Sequence, residues 1–224
     1  MEEKKFVQLK KEEFKIREYV KNAIGKSKIS FVSIEYTPVG EKIIVTTSKP
    51  GFVIGRKGEK ITELTETLKK NFKLENPHIE IKEIERPEFD AQTVADELAL
   101  LLERFGSLKF KVIAYKMLQK IMKAGALGVE IRLSGKLPSE RAKSWRFAEG
   151  YLKKTGDTAK IVDRAEAVAQ TLPGTIGIKV SILSPEKKIH DKIIIDEKIK
   201  QKLLENQKIL TEELKDGNTK KKGN

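Results

Sequence analysis

The sequence of 224 residues contains no cysteine and only two histidines. The absence of thiols excludes disulfides and thiolate metal sites. His78 and His190 lie far apart in the chain and offer no ligand cluster, so we expect no metal and no cofactor. No apolar run approaches the roughly 20 residues that cross a bilayer, and residues 1–5 lack the apolar segment of a signal peptide. We therefore expect a protein of the cytoplasm with no membrane partner.

Positive charge is what the sequence has in excess. Lysine and arginine number 46 against 33 acidic residues, which gives a formal net charge of +13. Such a balance favours a polyanionic partner. The excess is uneven: residues 86–105 hold two basic and five acidic side chains, whereas residues 106–154 hold twelve basic and three acidic ones. The second stretch is therefore expected to carry most of the basic surface.

A short glycine loop stands out in the first third of the chain. Gly55 and Gly58 bracket two cationic residues; a β-branched run at 43–47 precedes them, and apolar residues at helical spacing follow from Ile61. Glycine allows the backbone to lie close to a phosphate, where the cations are already in place. A glycine pair alone says little, but strand, loop and helix in this order are typical of a KH nucleic-acid clamp. The predicted RNA-binding residues here are Gly55, Arg56, Lys57, Gly58 and Lys60.

The elements around this loop resemble a type II KH domain. In order, the patterns predict a helix over 6–24 with Phe6, Leu9, Phe14 or Ile16 and Val20 on one face, strands at 31–36 and 42–47, the glycine loop and its helix, and a strand at 79–84. The resemblance implies a three-stranded sheet with helices on one face. We place this domain at residues 1–85, with residues 85–88 as the linker.

A second unit is expected over residues 86–184. Asp90 is predicted to cap a helix whose core side includes Leu101 and Phe105 and which ends at Gly106, and Ser107 to cap the next helix. Strands are predicted at 129–133, 145–152 and 176–183. Trp145 and Phe147 share a strand face, where packing in the core is favoured over stacking on bases. Residues 161–172 fit either a helix or a strand, and their alanines favour the helix.

Four lysines in the helix after Gly106 recur at spacings of seven, four and three: Lys109, Lys116, Lys120 and Lys123. At about 100° per residue they share one face. A solvated face is the ordinary interpretation of such a stripe. The helix lacks the acidic i,i+4 partners that usually balance it, which favours a role in binding.

Further motifs resemble the family of small-subunit ribosomal proteins numbered three. They are Val53-Ile54-Gly55-Arg56-Lys57-Gly58, Gly125-Ala126-Leu127-Gly128, Leu133-Ser134-Gly135-Lys136-Leu137 and Ile176-Gly177-Ile178-Lys179-Val180, and residues 140–144 are similar to the archaeal and eukaryotic branch. The resemblance covers about residues 1–184. It implies an α+β protein with an N-terminal type II KH domain and a second α/β domain of two helices and a roughly four-stranded sheet. It also implies that residues 161–172 belong to that sheet, and we adopt a strand there.

Membership of this family would imply a structural constituent of the small subunit that binds ribosomal RNA in the head, near where messenger RNA enters. The resemblance suggests the head proteins numbered ten and fourteen as neighbours. In the family, an adjacent basic pair early in the helix after Gly106 faces messenger RNA and is linked to its unwinding. That pair stands here as Lys111-Val112, so only one member is kept and the unwinding role does not carry over directly.

The full set of predicted RNA contacts therefore extends beyond the glycine loop. Its further members are Lys109, Lys111, Lys116, Lys120, Lys123, Arg132, Lys136, Arg141, Lys143 and Arg146. Two alternatives keep other functions open: a free KH regulator or ribosome assembly factor, and, more remotely, a nuclease or lysine-dependent lyase. No catalytic motif supports an enzyme. Residues 185–224 form a charged tail that is expected to be partly helical or disordered.

Overall fold

The computed structural model describes residues 2–25, 28–38, 40–72, 74 and 76–187. The helices are α1 (Glu2–Ile24), α2 (Pro50–Ile54), α3 (Glu59–Phe72), α4 (Ala91–Phe105) and α5 (Phe110–Lys123). The strands are β1 (Phe31–Thr37), β2 (Gly40–Thr47), β3 (His78–Glu83), β4 (Gly128–Gly135), β5 (Lys143–Gly150), β6 (Asp163–Thr171) and β7 (Gly174–Leu183). None of the helices in these ranges is long and apolar enough to span a membrane.

The N-terminal elements form a three-stranded sheet in the order β1-β2-β3. Strands β1 and β2 run antiparallel, with Val32 opposite Val45, and β2 runs parallel to β3, with Val45 opposite Ile81. Residues of α1, α2 and α3 pack with these strands in one hydrophobic cluster that includes Leu64 and Leu68. This is the predicted KH-like arrangement.

Only the second half of α1 contributes to that cluster. Ile16, Val20 and Ile24 are buried, which decides the alternative of Phe14 or Ile16 in favour of Ile16. Phe6 and Leu9, predicted on the same face, are exposed, so the buried face does not continue into the first half of the helix. A 23-residue helix is about 34 Å long, and the seven-residue strand β1 that it contacts spans only about 23 Å. Strand β1 is therefore too short to pack against the whole length of the helix.

The second sheet has four strands in the order β5-β4-β7-β6, and every neighbouring pair is antiparallel. Buried residues of α4 and α5 pack with those of the strands in a second hydrophobic cluster. The predicted α+β fold class is confirmed, with two helices and four strands in this part. The division of the chain at residues 85 and 184 stays a prediction, and residues 188–224 of the predicted tail lie outside the described residues.

Strand β6 settles the choice between helix and strand at 161–172. It pairs with β7 from Asp163 opposite Ile182 to Thr171 opposite Gly174. Ala165 and Ala169 are buried in the cluster that also holds residues of α4. The alanines that favoured a helix by propensity thus serve as small side chains between a strand and a helix, where tertiary packing overrides propensity.

Two acidic residues hold the start of α4. The Asp90 side chain accepts a hydrogen bond from the Thr93 backbone N–H at 2.8 Å, as a cap should, and it accepts one from the Ser30 hydroxyl at 2.6 Å. Asp163 accepts from the Ala91 backbone N–H at 2.9 Å. These carboxylates therefore satisfy helix N–H groups and link neighbouring elements.

The end of α4 and the start of α5 differ partly from expectation. Gly106 follows α4 with φ +80°, as predicted. Leu101 is partly buried and packs against the second hydrophobic cluster, as predicted, whereas Phe105 is half exposed, so the prediction for Phe105 was wrong. Ser107 does not cap α5 either: residues 107–109 form a 3-10 turn, and Lys109 is the residue that precedes the helix.

Candidate nucleic-acid interface

The glycine loop connects α2 to α3 and has an unusual backbone. Gly55, Lys57 and Gly58 all have positive φ, at 74°, 52° and 84°. The left-handed region is easy for glycine but uncommon for a lysine. The Gly55 N–H donates to the Gly51 carbonyl at 3.0 Å and so closes α2, a five-residue helix that the sequence analysis did not predict. The buried side chain of Val53 anchors this short helix in the core.

The two glycines limit the space around the loop in different ways. A Cβ built on Gly55 would meet the Lys60 side chain at 2.8 Å, whereas one built on Gly58 would meet nothing within 4 Å. Arg56, Lys57 and Lys60 are exposed. Gly58 thus leaves an open path to the backbone, and the predicted cationic residues surround it.

The loop is flanked by apolar surface and by a helix start. Phe52 and Ile54 are exposed, and the Lys28 Nζ atom lies 5.1 Å from the centre of the Phe52 ring. Helix α3 begins at Glu59, directly after the loop, so its first N–H groups and its positive dipole end lie beside the cations. The combination suits a phosphate on the loop and an aromatic or apolar base surface beside it.

The predicted lysine face of α5 borders an apolar groove of about 590 Å³ between α4 and α5. Lys109, Lys116 and Lys120 line it, and Lys123 is exposed one turn further on. Lys120 pairs with Glu97 of α4 at 3.4 Å. An acidic partner therefore exists for this face, but it comes from the neighbouring helix, which a one-helix pattern does not show.

Lys111 lies on a different side of α5 from the lysine face, because residues two positions apart in a helix are separated by about 200° and Lys109 belongs to that face. Its Nζ atom is 4.6 Å from the centre of the Trp145 ring, a cation–π contact. The Trp145 ring in turn lies 5.6 Å from that of Phe110, and Phe147 is buried. The two strand aromatics thus pack in the second core, which was the favoured interpretation.

The remaining predicted cations lie on or near the second sheet. Arg132 and Arg146 are direct neighbours across β4 and β5. Lys143 begins β5, and Lys136 and Arg141 lie in the connection between these strands; all three are exposed. The structure therefore brings Arg132 and Arg146 together on the solvent face of the sheet and places the other three at its edge.

Sequence reasoning missed an acidic residue at the centre of this surface. Glu130 is nearly buried and binds Arg132, Arg146 and Lys154, the last at 2.8 Å. Arg164 and Lys179 line the same depression of the sheet face, and they too were not predicted. The alternation Val129-Glu130-Ile131-Arg132-Leu133 does put Glu130 and Arg132 on one face. The residues of β5 and β7 that lie beside Glu130 and Arg132 cannot be predicted from the pattern of a single strand.

The described ranges contain no group of three or more histidine or acidic residues that could hold a metal. The Asp163 carboxylate accepts the hydrogen bond from the Ala91 N–H at the start of α4. Asp157 is exposed and pairs with Lys160 at 2.7 Å. Neither arrangement resembles a catalytic site.

A type II KH fold followed by a helix-backed antiparallel sheet, with exposed cations on both parts, defines an RNA-binding protein of two α+β modules. Residues 15–89 match the KH domain family, and residues 101–182 match the C-terminal domain of ribosomal protein S3. Small ribosomal subunit protein uS3 of Methanocaldococcus jannaschii is 44% identical over 198 residues, which cover 88% of this chain and 94% of that protein.

Two further relatives agree. The uS3 protein of Methanosphaera stadtmanae is 40% identical over 88% of this chain and 78% of its own length, and that of Methanococcus aeolicus is 38% identical over 87% and 93%. The chain therefore belongs to the uS3 family of small ribosomal subunit proteins, as the sequence motifs indicated. It is a structural constituent of the ribosome, in agreement with the prediction that it is not an enzyme.

Proposed function

We propose that this chain holds small-subunit ribosomal RNA with two surfaces, the glycine loop and the basic face of the second sheet, while it works on cytoplasmic ribosomes. The observation that carries the proposal is the loop itself. Its backbone is open at Gly58, Arg56 and Lys57 are exposed beside it, and the start of α3 adds N–H donors. Each of these features favours a phosphate.

The loop would act through its backbone and its cations together. Phosphate oxygens approach the N–H groups near Gly58, where a side chain would hold the RNA away. Arg56 and Lys57 supply charge, and Phe52 offers a stacking surface for a base next to the bound phosphate. Affinity should fall steeply with salt, because each neutralised phosphate releases counterions.

The second domain would supply the rest of the contact. Arg132 and Arg146 lie on the sheet face, with Lys136, Arg141 and Lys143 at its edge. The lysine face of α5 and Lys111 would lie toward the region where messenger RNA enters the head of the subunit. Among the proteins of the small subunit, the neighbours that we propose for this chain are the head proteins numbered ten and fourteen.

The test reverses the charge of the loop. We expect R56E/K57E to lower the occupancy of the protein in small subunits severalfold, because two phosphate contacts become repulsive. The matched control is K69E/K70E, which makes the same charge change at the far end of α3. Quantitative mass spectrometry of gradient-purified subunits gives the occupancy. Equal losses in both variants, or no loss in either, would contradict a specific role for the loop.

Sedimentation also separates this proposal from a free KH regulator. A ribosomal constituent should travel with small subunits at about one copy for each subunit, because structural contacts with ribosomal RNA persist through the gradient. A regulator that visits many RNAs should remain largely in the light fractions. Recovery of most of the protein away from small subunits would contradict the proposed function.

A further inference from the structure

The solvent face of the second sheet carries charged residues in a defined row. Arg132 of β4 lies opposite Arg146 of β5 on one side and opposite Lys179 of β7 on the other. Lys179 in turn lies opposite Glu166 of β6. A row of cations therefore crosses three of the four strands, on a framework of paired backbones.

Glu130 lies next to this row and binds three cations at once. Its Oε1 atom is 3.2 Å from Arg132 Nη2 and 3.0 Å from Arg146 Nε. Its Oε2 atom accepts from Arg146 Nη2 at 3.1 Å and lies 2.8 Å from Lys154 Nζ. One carboxylate thus fixes the direction of three long side chains that belong to two strands and the segment after β5.

The depth of the four side chains differs in a way that matters for a ligand. The Glu130 side chain is only 10% exposed, whereas those of Arg132, Arg146 and Lys154 are 50%, 51% and 49% exposed. The carboxylate lies beneath and the cations lie above. A guanidinium has five N–H donors. The contacts with Glu130 use one donor of Arg132 and two of Arg146, so each guanidinium has donors that point away from Glu130 and can bind a molecule in solution.

The Glu130 carboxylate stays charged at neutral pH. Burial raises the pKa of the Glu130 carboxyl group, but hydrogen bonds from Lys154 and Arg146 outweigh that effect, and the net pKa lies below its ordinary value. The cations are therefore held by a charged group under the conditions in which ribosomes work.

We propose that Glu130 is a positioning residue that holds Arg132, Arg146 and Lys154 ready to bind the phosphodiester backbone of RNA. This inference deepens the proposed function and rests on it. Binding to RNA costs entropy because it immobilises long side chains. The contacts with Glu130 order these side chains in the free protein, so less entropy is lost when RNA binds. Even with Glu130 counted, the four groups carry a net charge of +2, which is complementary to a polyanion.

The proposal reverses the effect expected from charge alone. Removing a negative charge from a cationic surface should strengthen its attraction for RNA. If Glu130 orders the cations, E130Q should instead weaken binding, about fivefold or more. Several side chains would then be mobile in the free protein, and they would lose that conformational entropy when RNA binds. The sign of the change therefore separates the two accounts.

The same face offers a matched control. Glu166 is 72% exposed and pairs with Lys179 at 2.6 Å, so it is neither buried like Glu130 nor placed between three cations. E166Q makes the same chemical and charge change on the same sheet face. We expect its RNA affinity to be unchanged or slightly higher, as charge alone predicts.

The experiment measures the affinity of the full-length chain for a transcript of small-subunit ribosomal RNA at one fixed salt concentration. E130Q binding more weakly while E166Q does not would support the proposal. E130Q binding equally well or more tightly than the unmodified chain would overturn it. R132Q/R146Q must also weaken binding, since unchanged affinity would show that RNA does not use this surface.

Two further measurements keep the outcome interpretable. Nitrogen-15 relaxation of the arginine Nε–H groups in the unmodified free protein requires no substitution: we expect Arg146 to be ordered relative to the exposed Arg141, and equal mobility of the two would overturn the proposal. R56E/K57E tests the glycine loop separately. A loss of affinity there, with none from E130Q, would leave the proposed function standing and remove only the role of Glu130.

Discussion

The glycine loop and the open sheet face present positive charge in opposite ways. In the loop the distinctive feature is the conformation of the backbone. Three of the four residues 55–58 have positive φ, and Gly58 leaves open space toward solvent. On the sheet face the backbone of β4 is paired on both sides, and the distinctive feature is a set of cationic side chains held by Glu130. If both surfaces bind phosphate as proposed, the loop does so through an open backbone at Gly58 and the sheet face through side chains that are already ordered.

The same substitution, glycine to alanine, should affect the two regions very differently. A Cβ on Gly128 of β4 would lie 2.0 Å from the Tyr151 carbonyl oxygen. The backbone of Tyr151 is held in place by a hydrogen bond from its N–H group to the Leu127 carbonyl at 2.8 Å. We expect Gly128→Ala to reduce the free energy of unfolding by about 3 kcal/mol or more. Urea unfolding followed by circular dichroism measures the change.

Gly51→Ala in α2 is the control for this prediction. Gly51 has nothing within 4 Å of a built Cβ and no positive φ, and alanine is favoured over glycine in a helix. Its free energy of unfolding should stay the same or rise slightly. Equal destabilisation by both substitutions would show that the sheet is not closed around Gly128 as described.

The next largest effect concerns Glu130 and pH. Its folded-state pKa is lowered, so its stabilising contribution is complete above the ordinary value of 4.5 and is lost as the pH falls through the lowered one. We expect E130Q to lower the free energy of unfolding by about 2 kcal/mol at pH 7, because the buried side chain that pairs with three cations loses its negative charge. The difference from the unmodified chain should shrink below about pH 4.5 as the carboxylate protonates.

Unfolding curves at several pH values check this dependence. E166Q again serves as the control, because its carboxylate is exposed, and its curve should follow the unmodified chain closely. A difference for E130Q that persists unchanged into acid would contradict the assignment of stability to the charged carboxylate.

A smaller effect should separate stability from binding in the loop. Gly58 and Gly125 share a positive φ, at 84° and 99°, and an empty surrounding. Alanine at either position should cost about 1 kcal/mol of unfolding free energy through backbone strain alone. Only Gly58→Ala should also weaken binding to a small-subunit ribosomal RNA transcript, because a methyl group there would face the phosphate.

Unfolding free energy and RNA affinity are measured for both variants in parallel. Similar unfolding curves with different RNA affinities are the expected result. If Gly125→Ala weakened RNA binding as much as Gly58→Ala does, the loop would have no special role and the losses would reflect general destabilisation.

The smallest effect is expected for the pair between Lys120 and Glu97. The two atoms are 3.4 Å apart, and both side chains are about half exposed, so solvent weakens their attraction. A double-mutant cycle with alanine at both positions should give a coupling free energy of about 0.5 kcal/mol or less. A coupling free energy several times larger would mean that this exposed ion pair is as strong as the contacts of the buried Glu130 carboxylate.

Much of the fold could be predicted because local patterns carry it. Alternation identified the strands, the glycine loop identified the KH domain, and Asp90 and Gly106 were recognised as the ends of α4 from residue chemistry alone. The failures were non-local. Phe6 and Leu9 were placed on the same helix face as the buried Val20, because a helical pattern cannot show where the sheet beneath the helix ends. The propensity of residues 161–172 favoured a helix, and only the family resemblance indicated the strand that pairs with β7.

The candidate site divides in the same way. Arg56 and Lys57 could be assigned from four consecutive residues, and their placement as exposed loop cations agrees with that assignment. Glu130 could not, because its meaning depends on Arg146 and Lys154, which are 16 and 24 positions away in sequence and reach it only through strand pairing and the segment after β5. The roles of all these residues in RNA binding stay predictions.

We propose that two separate surfaces of this chain contact ribosomal RNA in the assembled small subunit. Ultraviolet cross-linking of intact subunits, followed by mass spectrometry of the peptides that carry nucleotides, tests it most directly. The account predicts nucleotides attached to peptides from residues 50–60 and also to peptides from residues 130–154. Cross-links confined to one of these regions, with the other recovered unmodified, would contradict the two-surface account.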